Sequence, residues 1–177
     1  MAATQDQRAQ HSKNKDNRMY SVLKTIAIGM VLALSTSSIA SAATPEAVVG
    51  TWALNLQKST FSPGPAPKSQ TRTYAETADG ITLTMNGVAA DGSPMSGMST
   101  FKYDGKDYAI SGSPDYDSLN LKRVNQSTVT SVQKKDGKVI GSTTRTLSAK
   151  GKVLTLTSKG KTAKGEAFHN VMVFDKQ

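Results

Sequence analysis

From Asp79 onward this chain is punctuated by pairs that end in glycine: Asp79-Gly80, Asp91-Gly92, Asp104-Gly105, Asp136-Gly137, Lys150-Gly151 and Lys164-Gly165. Asp-Gly supplies the positive φ angles of a tight hairpin turn. The stretches between the pairs are short and rich in Val, Ile, Leu, Thr and Tyr, residues that suit a pleated, half-buried surface. A chain that reverses at this interval is an antiparallel meander, and a long meander closes into a barrel or a sandwich. The expected fold is therefore all-β, an up-and-down meander of about eight to ten strands closed on itself.

The N-terminal region reads differently. Residues 1–18 are polar and carry no apolar periodicity. A basic stretch around Lys24, an apolar run from Ile26 to Leu34 and the small-residue site Ala40-Ser41-Ala42 then follow in the order of a secretory signal peptide. Met19 has the position of a true initiator, which would make residues 1–18 a start-site artefact; alternatively they are a long leader removed with the rest. A membrane anchor is the competing reading, since no charge lies between Thr25 and Thr44. The second half of that segment is mostly Ser, Thr and Ala, so its strongly apolar part is too short to span. Cleavage after Ala42 is expected, giving a periplasmic or secreted product without stable membrane insertion. Residues 43–177 then form a single domain, large enough for one core.

The charge of that domain narrows its partners. Seventeen Lys and Arg against eleven Asp and Glu leave it at +6, and most of the lysines fall at or near turns. Lysines there confer solubility and blunt sheet edges. Nucleic-acid binding would need basic residues interleaved with exposed aromatics, and the aromatics here are few and scattered among strand residues. An anionic envelope surface remains an electrostatic option. With no Cys in the chain, neither disulfides nor lipid attachment through Cys contribute, so stability must come from the core and the ladders.

Strands are expected at Val48–Leu56, Gln70–Glu76, Ile81–Val88, Met95–Tyr103, Asp107–Ser111, Ser118–Val124, Thr128–Lys134, Lys138–Ser148, Lys152–Ser158 and Ala167–Asp175. In the first, Trp52, Leu54 and Leu56 share a face. In the third, Ile81, Leu83 and Met85 alternate with Thr82 and Thr84. Gly97 suggests a bulge in the fourth strand. Thr44-Pro45 could cap a short helix reaching Val48. Lys58 to Lys68, with Pro63, Pro65 and Pro67, cannot join a central ladder and is expected to be a stiff extended cover.

The segment Gly50-Thr51-Trp52-Ala53-Leu54-Asn55 resembles the first strand of the calycin group, the lipocalins, fatty-acid-binding proteins and their bacterial relatives, which carry Gly-x-Trp at the start of the barrel. Lys58-Ser59-x-Phe61-Ser62-Pro63-Gly64 and the closing Val171-Met172-Val173-Phe174 resemble small secreted bacterial proteins of unknown function with a lipocalin-like fold. The resemblance implies a lipocalin- or fatty-acid-binding-protein-like barrel with a ligand in its lumen. Two features depart from it. The loop after the first strand is too short for the helix pair of fatty-acid-binding proteins, and Pro114-Asp115-Tyr116 only echoes the lipocalin Thr-Asp-Tyr motif. Ligand type and strand number stay open between the two branches.

Little in the sequence speaks for catalysis. The only His after residue 42 is His169, inside a predicted strand, with no local partner for a nucleophile. Asp104, Asp107, Asp115 and Asp117 cluster in sequence, but Asp in such loops usually makes turns, and the Asp115-x-Asp117 pair lacks the other ligands of a calcium loop. No enzyme activity, cofactor or metal is expected. The arginines are more informative, because Arg72, Arg123 and Arg145 all fall inside predicted strands. Arg123 follows Leu119 and Leu121 at period two, and Arg145 shares parity with Thr143 and Leu147. Facing inward, a guanidinium needs a partner, and a ligand carboxylate or phosphate would serve. Otherwise one arginine stacks over Trp52 to close the barrel end, or all three face water. The candidate lumen residues are Trp52, Leu83, Met85, Leu121, Arg123 and Arg145, with Arg123 the first choice as anchor. The leading function is a barrel binding a small apolar or amphipathic molecule. The alternative is a non-catalytic envelope module with a filled core and a basic surface.

Overall fold

Ten strands form one continuous sheet, and burial alternates cleanly along β3, β6 and β9 to set which face turns inward. The computed structural model describes residues 46–162 and 165–177. The strands are β1 (Gly50–Leu54), β2 (Ser69–Thr77), β3 (Gly80–Val88), β4 (Pro94–Phe101), β5 (Asp104–Ala109), β6 (Ser118–Arg123), β7 (Thr128–Lys135), β8 (Lys138–Leu147), β9 (Val153–Lys161) and β10 (Ala167–Lys176). Every pairing is antiparallel, in the order β4-β3-β2-β1-β10-β9-β8-β7-β6-β5. Neighbours in sequence are thus neighbours in the sheet except for β4 and β5, and β1 pairs with β10 and so joins the two halves. β4 and β5 form the two edges, and they face one another. A single bridge between Met98 and Ser111, with backbone bonds of 3.0 and 2.9 Å, stitches that seam. The result is an up-and-down barrel, closed but for the seam.

One end is solid. Trp52, Phe101, Leu154 and Phe174 are fully buried there, with Ile81, Leu83 and Val129 packed around them. The Trp52 indole donates to the Val48 carbonyl at 2.8 Å, fixing the turn that enters β1. On β3 the alternation is clean, with Ile81, Leu83 and Met85 inside; outside, Thr82 bonds its cross-strand partner Thr100 at 2.8 Å.

Several expectations need correction. Leu56 does not continue the Trp52 face: the chain leaves β1 at Leu54 and turns through a short 3-10 segment, Leu56–Lys58, whose start is capped by Asn55. Gly97 marks no bulge, since β3 and β4 pair in unbroken register with Gly97 opposite Met85. A methyl at Gly97 would meet the Met85 side-chain end, so the glycine serves packing. The irregularities lie instead between Asp104 and Asp107 and between Gln133 and Lys134. Asp104-Gly105 therefore opens β5 rather than closing a hairpin, because β4 and β5 are not laddered there. The capped helix is not formed over its described part, where Ala47 and Val48 lie in a turn closed by Val49 N–H to Glu46 O at 2.8 Å; Thr44 and Pro45 lie outside the described residues. So do the expected N-terminal extension, the signal peptide and its cleavage site.

The proline-rich loop stays extended, as its composition demands. It runs beside β10, where Thr60 exchanges backbone bonds with Val171 and the Ser62 carbonyl accepts from His169 N–H at 2.7 Å.

Candidate functional site

The inner face is not uniformly apolar. β3, β6 and β9 contribute Leu83, Leu119, Leu121 and Leu156. β2 turns Gln70, Arg72 and Tyr74 inward, β7 turns Val129, Ser131 and Gln133, and β8 turns Gly141, Thr143 and Arg145. These residues surround a cavity of about 350 Å³ that opens at the end opposite Trp52. The lumen is therefore not filled by its own side chains.

Two of the arginines belong to this cavity and differ in how they are satisfied. Arg145 lies between two tyrosines, with its guanidinium 5.3 Å from the Tyr74 ring centre and 5.2 Å from that of Tyr103. Its Nη2 donates to the Tyr103 hydroxyl at 2.8 Å. Burial works against this charge, but the two tyrosines outweigh it and hold the Arg145 pKa above its ordinary value. Burial also pushes the Tyr103 hydroxyl up, by more than Arg145 draws it down.

Arg72 is buried, at 9% exposure, and far less engaged. Its Nε donates to Gln70 Oε1 at 3.3 Å, and the guanidinium lies 5.4 Å from the Phe174 ring centre. Tyr116 reaches in from the loop between β5 and β6, its phenol raised by burial and only partly drawn back by the nearby Arg72 charge. Among the described residues, neither Arg72 nor Arg145 makes an ion pair. Asp115, the acid at the cavity mouth, is not within salt-bridge reach of either.

Of the six residues singled out in the sequence, Leu83, Leu121 and Arg145 line the cavity. Trp52 and Met85 are buried but lie in the packed wall rather than on the cavity surface. Arg123 sits at the solid end, paired with Glu46 and stacked 4.4 Å from the Tyr103 ring centre. Among the described residues no arginine covers Trp52: Lys176 does, its Nζ 5.2 Å from the indole ring centre. Sequence reasoning passed over Gln70, whose parity with Arg72 was a usable signal. It also passed over Tyr116, which sits in an irregular loop and has no periodicity to betray it.

The remaining candidates stay apart from this site. His169 is exposed and pairs with Lys159 across the β9–β10 ladder. No group of three or more His, Asp or Glu side chains among the described residues could hold a metal ion. Asp107 is engaged by Lys134 at 2.7 Å, and Asp117 accepts from the Asp136 N–H at 2.8 Å.

Solved structures similar to this chain include two ligand-complexed or ligand-specific proteins by their descriptions. The zebrafish ileal bile acid-binding protein, solved with cholic acid, matches 74% of this chain over 99% of its own length, with 14% identity and a TM-score of 0.46. The siderocalin Ex-FABP, described as functioning through dual ligand specificities, matches 74% of each chain with 10% identity and a TM-score of 0.35. No protein-family model matches the sequence, and no curated protein matches it significantly.

Proposed function

We propose that this protein is a non-catalytic carrier barrel that holds one small anionic amphipathic molecule in its lumen, with the acidic head group on Arg72. One observation carries the reading: a buried guanidinium lines an unfilled cavity and makes no ion pair among the described residues. A buried charge is costly unless paired, and the planar guanidinium fork matches a carboxylate or phosphate. Gln70 engages Nε, which leaves the Nη edge to receive the anion. The apolar wall of Leu83, Leu119, Leu121 and Leu156 suits the rest of the ligand, and the cavity falls in the lower part of the range small-molecule sites occupy, about 300–1,000 Å³.

Export belongs to the same proposal. The basic start, the apolar run to Leu34 and Ala40-Ser41-Ala42 support cleavage after Ala42 and delivery to the periplasm or the medium. N-terminal sequencing of the exported protein should begin at Ala43 or Thr44; intact 19–42 retained in the membrane fraction would refute this part.

The binding test compares dodecanoate with dodecanol in competition against the fluorescent anion 1-anilinonaphthalene-8-sulfonate. The acid should compete at least tenfold better than the alcohol of equal length, and Arg72→Met should erase that difference. Absence of saturable probe binding, or equal competition by acid and alcohol, would overturn the reading. Native mass spectrometry of protein purified from its own envelope would then identify the physiological ligand.

A further inference from the structure

Strand register sorts the inner wall into levels. Leu121 on β6 pairs with Ser131 on β7, Ser131 with Thr143 on β8, Thr143 with Ser158 on β9, and Ser158 with Asn170 on β10. All five line the cavity. The level therefore changes from apolar to polar at the β6–β7 rung and stays polar across four strands. One level nearer the solid end, β7 to β10 carry Val129, Arg145, Leu156 and Met172, apolar but for the arginine. In the ring of ten strands β3 lies opposite β8, and it brings Leu83 to the cavity. The lumen thus has a polar stripe on one wall and leucines of β3 and β6 on the other.

The polar row does not satisfy itself. Thr143 and Ser158 are buried, at 9% and 8% exposure, and share a hydrogen bond of 2.7 Å. Gln133 Nε2 donates to Thr143 Oγ1 at 2.8 Å and to Ser131 Oγ at 3.4 Å, while its Oε1 is buried with no partner among the described residues. With both hydroxyls accepting from the amide, Thr143 passes its proton to Ser158. The Ser158 and Ser131 protons then meet no acceptor among the described residues. Turning the amide over reverses the chain and leaves lone pairs unspent instead of protons. Asn170 Oδ1 accepts from Ser62 N–H at 3.1 Å, and its Nδ2 has no partner among the described residues. An unmatched buried polar group costs more than a made bond returns, so this row penalises a bare alkyl chain laid against it.

We infer that the lumen selects an acid carrying at least one hydroxyl along its body, and that the row of Ser131, Thr143, Ser158 and Asn170 binds that hydroxyl. A hydroxyl donates and accepts at once, so it completes the row whichever way the Gln133 amide is turned. Leu83 and Leu121 hold the apolar side of the same molecule. The inference rests on the carrier reading for the acid end, which Arg72 receives, and it adds the chemistry of the rest of the ligand.

The test extends the competition assay to 3-, 6-, 9- and 12-hydroxydodecanoate, each read against dodecanoate. A purely apolar lumen would rank every hydroxy acid below the parent, because burying a hydroxyl there goes unrewarded. This lumen should rank at least one isomer above the parent by about fivefold, the return on one made hydrogen bond. The double variant Ser131→Ala, Ser158→Ala should remove that advantage and leave dodecanoate binding unchanged or tighter. Asn170→Leu, at the half-buried end of the row, gives a second reading should the double variant fail to fold. Thr157→Ala, beside Ser158 but not on the cavity wall, should change nothing. No isomer bettering dodecanoate, or an advantage that survives in the row variants, would overturn the inference. If dodecanoate outcompetes dodecanol and no isomer gains, the Arg72 carrier reading stands and the hydroxyl row falls. If acid and alcohol compete equally while a hydroxyl advantage appears and is lost in the variants, the row stands and the Arg72 anchor falls.

Discussion

Arg123 Nη2 and Glu46 Oε1 lie 2.5 Å apart, across 77 residues of sequence. The pair fastens the segment entering β1 to the end of β6, and the Tyr103 ring beneath the guanidinium completes the clasp. An arginine whose strand parity points inward thus meets the chain's own acid instead of a ligand. Both side chains are about one-third exposed, at 33% and 30%, so the ion pair itself contributes about 1 kcal/mol or less. The ring contact adds about 0.5–1 kcal/mol. Arg123→Met is expected to lower the urea-unfolding free energy by about 1–2 kcal/mol and to leave binding of the fluorescent anion unchanged.

Arg72 should behave in the opposite way. In the free protein its charge is buried without a carboxylate, and replacing such a charge with a well-packed apolar residue is often neutral or stabilising. Arg72→Met is therefore expected to keep or raise the apo melting temperature while weakening anion binding by tenfold or more. Calorimetry with and without dodecanoate separates the two effects.

Trp52 is fully buried, with its indole N–H bonded to Val48. Trp52→Ala is expected to cost about 3–5 kcal/mol. The native emission should be blue-shifted and resist acrylamide; a spectrum resembling free tryptophan would contradict the packing at the solid end.

At Gly160 a methyl would collide with the Ile140 carbonyl oxygen, a backbone atom that cannot swing aside. Gly160→Ala is expected to destabilise by about 1–3 kcal/mol, the usual range for overpacking. A chemical-denaturation curve measures it, with Gly105→Ala, where nothing lies nearby but φ is positive, as the contrasting strain control.

Alkaline pH should weaken the fold. Burial raises the Tyr103 and Tyr116 phenols above their ordinary value near 10. The folded state then holds protons that the unfolded chain gives up, so the stabilisation is complete below about pH 10 and is lost as pH rises through the folded values. Absorbance at 295 nm should show late-titrating phenols that disappear in Tyr103→Phe and Tyr116→Phe.

The barrel was legible because strand alternation is a local property: Ile81, Leu83 and Met85 announce their face without reference to any other strand. The turn pairs gave the hairpins for the same reason, failing at Asp104-Gly105, where the next strand does not return along the last. The site was harder to read. Parity aligned Arg72, Arg123 and Arg145 with residues that could face the lumen, but it left open whether they turn inward or face water and how far along the barrel axis each one sits. That depth depends on the β1–β10 and β6–β7 registers, which place Arg123 beside Glu46 and leave Arg72 facing the cavity. Leu56 misled because its parity matched a strand that Asn55 had already ended with a cap.

The seam between β4 and β5 has a topological consequence. The sheet's free edges fall in the middle of the sequence, while its first and last strands lie side by side within it, with Gln177 N–H reaching the Thr51 carbonyl at 2.9 Å. A circular permutant that linked β10 to β1 and began at β5 would convert the ring-closing pairing into an ordinary hairpin. Every ladder would then join consecutive strands, and the separation of contacting residues along the chain would fall sharply. Folding rate follows that separation, so the rearranged barrel should reach the same native structure faster than the natural order does.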